Sequence, residues 1–130
     1  MRSGVPVLLL AAWLLAACGP PPPDIDVATA YDLGTVVKGA RAVADIPVRN
    51  LGGRPLTVQR VSTSCGCTKA TLTPMIIPAG GEGRLRVEYD SSIHDEDLGP
   101  ITRSVFISSD DPNNDDVHIR FTVNVTPRAP

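Results

Sequence analysis

Between Val117 and Val125 every second residue is apolar: Val117, Ile119, Phe121, Val123 and Val125 alternate with His118, Arg120, Thr122 and Asn124. Side chains of an extended chain point alternately to opposite faces, so this run reads as a strand with one buried face. The same period returns in Ala42, Ala44, Ile46 and Val48, and again in Leu85, Val87 and Tyr89 against Arg84, Arg86 and Glu88. Val105 and Ile107 mark a shorter strand, and Tyr31–Val37 is rich in strand formers. No window carries apolar residues at helical spacing between good caps, while turn signals separate the short strands throughout. The pattern predicts an all-β, immunoglobulin-like antiparallel β-sandwich of about seven strands, with no tryptophan or inter-sheet disulfide in its core.

Local details refine this expectation. Lys38-Gly39-Ala40 and Asn50–Pro55 are turns, and Val61 is out of phase with Leu56 and Val58, which predicts a bulge near Gln59-Arg60. Pro74, Pro78 and Gly80-Gly81 predict an irregular loop. Pro47 interrupts an otherwise alternating run; lacking an N–H, it should sit at an edge, at a bulge or where a neighbouring strand has ended.

The first residues differ in kind. Arg2 precedes an apolar stretch from Val7 to Leu15, and Leu15-Ala16-Ala17-Cys18 closes it with small residues before a cysteine. The stretch is short for a transmembrane helix and has the layout of a leader peptide. Leu-Ala-Ala-Cys resembles the lipobox of bacterial lipoproteins. That resemblance implies cleavage after residue 17, lipid such as palmitate on Cys18, and an extracytoplasmic, membrane-held protein on the periplasmic side or the cell surface. Four prolines, Pro20–Pro23, follow and favour a stiff polyproline II spacer. The expected organisation is a signal peptide over 1–17, the anchored cysteine and proline tether over 18–29, a sandwich over 30–126 and a short tail over 127–130.

Removing the leader also removes the one tryptophan and Arg2, which leaves eleven basic against fourteen acidic side chains, a net charge of about −3 at neutral pH. The basic residues are dispersed among the acids, so no stripe suited to nucleic acid exists. No small-molecule substrate is evident, and no motif gathers a nucleophile, a base and an acid; the chain reads as a non-enzyme.

Several segments carry a family resemblance: Tyr31-Asp32-Leu33-Gly34, Asn50–Leu56, Ser62–Thr68 with its Cys-Gly-Cys-Thr core, Pro78–Gly83, and Ser109-Asp110-Asp111-Pro112. Together they resemble the bacterial domain-of-unknown-function family 1573, similar to the immunoglobulin-like domains of Hydin and major sperm protein. The likeness covers about residues 30 to 125. It implies a seven-stranded sandwich, often exported and lipid-anchored, without an established activity, and hence a binding or structural module with a possible envelope protein partner.

Cys65-Gly66-Cys67 is the main chemical candidate. Two thiolates could hold a soft ion such as Cu(I), with Met75 as a further sulfur, because soft ligands select soft ions. They could equally form a local disulfide, which glycine and an oxidising compartment favour, or pack as two structural thiols. Under the first two readings the chain handles copper or thiol redox chemistry through Cys65 and Cys67. His94 and His118 are distant in sequence from the pair, and neither has a local motif linking it to a cysteine. His94–Asp97 and Asp111–Asp116 read as solvated loops; the second imitates a calcium loop but lacks its glycine and its bidentate glutamate.

Overall fold

A computed structural model describes residues 18–130; the leader expected over residues 1–17 lies outside them. Among the described residues nine strands form in chain order: β1 (Ile25–Asp26), β2 (Ala30–Val37), β3 (Arg41–Asn50), β4 (Leu56–Thr63), β5 (Thr68–Thr73), β6 (Ile76–Ile77), β7 (Glu82–Asp90), β8 (Gly99–Ser109) and β9 (Asp116–Thr126). Seven of them are six residues or longer, and β1 and β6 are two-residue additions. One sheet has the order β1-β3-β7-β5 and the other β2-β9-β8-β4-β6.

The alternation dictates the packing. Ile46 and Val48, Leu85 and Val87, Val105 and Ile107, and Ile119, Phe121 and Val123 are all buried between the sheets. Phe121 and Tyr89 are the largest fully enclosed side chains. Among the expected core residues only Ala44 falls short, being partly exposed. The bulge in β4 lies where the phase change predicts, between Val58 and Arg60. Pro47 pairs opposite Arg84, and on its other side β1 ends at Asp26 opposite Arg49, so the proline sits where a neighbour has stopped.

Three expectations need correction. The sheets are not wholly antiparallel, because β2 runs parallel to β9: the chain leaves β1 in one sheet and crosses to the edge of the other. The loop expected around Pro74, Pro78 and Gly80-Gly81 holds the two-residue β6, and ahead of it stands a strand the sequence reading lacks, β5, which pairs with β7 along its whole length. Its inward phase is only Thr68, Ala70 and Leu72, too weakly apolar to register as a strand. Finally, the proline run does not stand free. Gly53 N–H donates to the Pro21 carbonyl at 3.1 Å, Leu51 N–H donates to the Asp24 carbonyl at 2.8 Å, and β1 then joins β3. A side chain at Gly52 would collide with the Pro22 carbonyl oxygen, so the close approach needs glycine there.

The strand directions sort the loops onto two ends. Asn50–Leu56, Gly80-Gly81 and Asp110–Asp115 gather at the end where the prolines dock. Lys38–Ala40, Ser64–Cys67 and Ser91–Leu98 gather at the other. The ten residues of β3 span the distance between them, about 30 Å at strand rise.

Candidate functional site: the cysteine end of the sandwich

Cys65, Gly66 and Cys67 form the β4–β5 turn. Thr63 Oγ1 donates to the carbonyls of Cys65 at 3.0 Å and Thr68 at 3.2 Å, and Thr68 N–H returns to the Cys65 carbonyl at 3.2 Å. Asp90 N–H donates to the Cys67 carbonyl at 2.8 Å, tying the turn to the end of β7. Within this frame Cys65 and Cys67 are joined by a disulfide, and Cys18 is a separate, exposed thiol. Cys67 is 2% exposed and belongs to the core, whereas Cys65 is half-buried at the surface. Cys65 Sγ accepts from Cys67 N–H at 3.1 Å, and Thr68 Oγ1 lies 3.6 Å from Cys67 Sγ.

His94 comes to this pair from a different loop. Its Nε2 lies 3.2 Å from Cys65 Sγ, and its Nδ1 faces Glu96 Oε1 at 4.0 Å. One ligand atom from each of Cys65, Cys67 and His94 falls within 4.8 Å of the others. The sequence separation of 29 residues between Cys65 and His94 hid this neighbour; only the pairing of β4 with β8 and of β5 with β7 closes the gap. Met75 and His118, the other side chains weighed as ligands, are not in the cluster. Met75 follows β5 toward the proline end, where its carbonyl accepts from Val58 N–H. His118 is exposed on β9, hydrogen-bonded to Ser104 Oγ at 2.7 Å and stacked on Phe106.

The loop carrying His94 is also more than a solvated acidic turn. Asp97 is buried, accepts from Tyr89 Oη at 3.0 Å and pairs with Arg103 at 2.8 Å. Burial and the neighbouring Asp97 carboxylate push the Tyr89 phenol up to about 12. Lys38 Nζ donates to the carbonyls of His94 and Asp97, and Asp97 N–H donates to the His94 carbonyl at 3.2 Å. The backbone that carries the imidazole is thus tied by the Lys38 ammonium and the Asp97 N–H.

At the proline end the polar groups serve structure. Asn50 is fully buried: its Oδ1 accepts from Asp24 and Gly52 N–H, and its Nδ2 donates to the Arg54 carbonyl at 2.7 Å and the Ile77 carbonyl at 3.1 Å. Asp111, in the loop that imitates a calcium site, is 1% exposed. Its carboxylate accepts from Ile25, Asn113 and Asn114 N–H, so backbone donors occupy its oxygens.

Two packed sheets with the strand orders given above define an immunoglobulin-like β-sandwich. The chain belongs to the family described as "Protein of unknown function (DUF1573)", whose model matches residues 26–125. It is similar to a protein of unknown function from Porphyromonas gingivalis W83, with 25% identity and a TM-score of 0.73 over 78% of this chain. That match spans 46% of the Porphyromonas chain, so this chain covers about half of that protein's length. The PapD-like domain 7 of human CEP192 matches 96% of this chain and 99% of its own at 9% identity and a TM-score of 0.58. The secreted serine protease VesC from Vibrio cholerae matches 82% of this chain and 24% of its own at 14% identity and a TM-score of 0.60. These last two likenesses are of fold alone. No curated protein matches the chain.

Proposed function

We propose that the chain is a lipid-anchored module of the bacterial cell envelope, without catalytic activity, that binds another envelope component. The observation that carries this reading is the path of the chain after Cys18. Three residues, Cys18–Pro20, precede the first backbone hydrogen bond to the sandwich, at Pro21. They reach about 10 Å at full extension. An acyl-bearing Cys18 would therefore hold the proline end against the membrane and direct the cysteine end outward. More than one acyl chain is needed for firm anchoring, and the Leu15-Ala16-Ala17-Cys18 pattern supports such modification. Metabolic labelling with a fatty acid should mark the wild-type protein, and Cys18→Ser should release it from membranes. Equal membrane retention of the variant would overturn the reading.

A second reading is soft-metal handling or thiol-redox chemistry through Cys65 and Cys67. What favours it is His94 Nε2, 3.2 Å from Cys65 Sγ.

A further inference from the structure

We propose that Cys65, Cys67 and His94 are the ligands of one Cu(I) site, available when the Cys65–Cys67 disulfide is reduced and closed when it forms. The proposal rests on the soft-metal reading of the cysteine pair and adds its third ligand and its control; it does not depend on lipid at Cys18.

The donors come from two loops that are each tied in place. Thr63 and the end of β7 fix the turn carrying the sulfurs, while Lys38 and Asp97 fix the backbone of His94. Their ligand atoms already lie within 4.8 Å of one another. Metal-ligating histidines usually turn their second nitrogen to a carboxylate or carbonyl, and here Nδ1 faces Glu96 while Nε2 faces sulfur. Gly66 gives the turn room to readjust as the sulfurs part, since a Cβ there would meet nothing within 4 Å.

The donor set selects the ion. Two thiolates and an imidazole are soft to borderline ligands, which suit Cu(I). Structural zinc sites close with four protein ligands, and the cluster supplies three among the described residues. Cu(I) is satisfied by three.

A dithiol reductant opens the site by thiol–disulfide exchange. A thiolate of that dithiol attacks Cys65 Sγ, the more exposed sulfur, and the Cys65–Cys67 bond breaks. Cys67 leaves as a thiolate beside Thr68 Oγ1 and takes a proton. The second thiol of the reductant then displaces Cys65 from the mixed disulfide. Two electrons and two protons pass to the protein, and the dithiol becomes a disulfide. Cu(I) binding afterwards releases the two thiol protons to solvent.

The test uses the full chain carrying Cys18→Ser, so that no third thiol competes, reduced with a phosphine and kept anaerobic. Cu(I) is offered as its complex with a chromogenic chelator. The reduced protein should withdraw one equivalent, and the oxidised protein less than a tenth of that. His94→Ala should weaken binding at least tenfold, and copper-edge X-ray absorption should count two sulfur neighbours and one nitrogen. Unchanged affinity in His94→Ala, with sulfur neighbours only, would overturn the ligand set while leaving the cysteine pair as a metal site. No uptake by the reduced protein would overturn the metal reading itself. Equal uptake by the oxidised protein would overturn the redox control, and tighter binding of Zn(II) than Cu(I) would overturn the choice of ion. Cys65 and Cys67 stay unaltered throughout, so no comparison depends on a variant of the disulfide pair.

Discussion

The two ends of the sandwich use polar residues in opposite ways. At the proline end, Asn50 and Asp111 are buried and spend their hydrogen-bonding capacity on backbone groups of Asp24, Ile25, Gly52 and Arg54. At the cysteine end, buried Tyr89 and Asp97, with Arg103, hold the loop that brings half-exposed His94 against half-exposed Cys65 of the β4–β5 turn. The first arrangement is closed, since every buried donor has a protein partner. The second keeps two reactive atoms facing an opening lined by Ser64, Gly66, Thr102 and Arg103. Backbone-satisfying polar groups are thus concentrated at one end and the half-exposed sulfur and imidazole at the other.

The sharpest way to break that division is Asn50→Leu. It strands the N–H groups of Asp24 and Gly52 and the carbonyls of Arg54 and Ile77, so it should cost about 3–5 kcal/mol. The loss would be read by denaturant unfolding, with early proteolysis at the prolines. Phe121→Ala, in the core shared by both ends, should cost a similar amount, about 3–5 kcal/mol. His118→Ala on the same strand should cost under about 0.5 kcal/mol. Comparable losses at positions 118 and 121 would mean the strand phase is wrong.

The next effect belongs to the cysteine end. With its pKa raised to about 12, the folded Tyr89 phenol holds its proton more tightly than the same group in the unfolded chain. Its contribution is present in full below about pH 10, the ordinary phenol value. The folded state binds more protons above that pH, so stability should fall as pH rises from there toward about 12. Tyr89→Phe should flatten that decline; an unchanged pH profile in the variant would remove the Tyr89–Asp97 pair from the account.

Smaller again is the effect of the disulfide. A loop closed across one intervening residue restrains the unfolded chain little, so reduction should lower stability by only about 1–2 kcal/mol. Unfolding on reduction would make the bond a structural staple and not a gate.

How much of this was legible in the sequence follows from the range of each interaction. Alternation is local, so the strands holding Ile46, Leu85 and Phe121 announced themselves, as did the bulge after Val58. The strand Thr68–Thr73 did not, because threonine and alanine on its inner face gave too little contrast. Asn50 and Asp111 stand among turn residues and read as turn formers, although both are buried; the preference for turns and the capacity to satisfy buried backbone come from the same short side chains. The cysteine pair was visible as a candidate, with its alternatives open. His94 was not visible as its neighbour, because an acidic loop 29 residues away carries no local sign of contact.

The proposed division between a membrane-held end and a reactive end can be measured directly on protein acylated at Cys18 and placed in nanodiscs containing spin-labelled headgroups. Paramagnetic broadening of backbone amide signals reports distance from the bilayer surface. The account predicts strong broadening at Gly52, Gly53 and Arg54 and none at Gly66, Cys67 and His94, which lie about 30 Å farther out along the strands. Broadening of equal strength at both ends, or stronger at the cysteine turn, would contradict it.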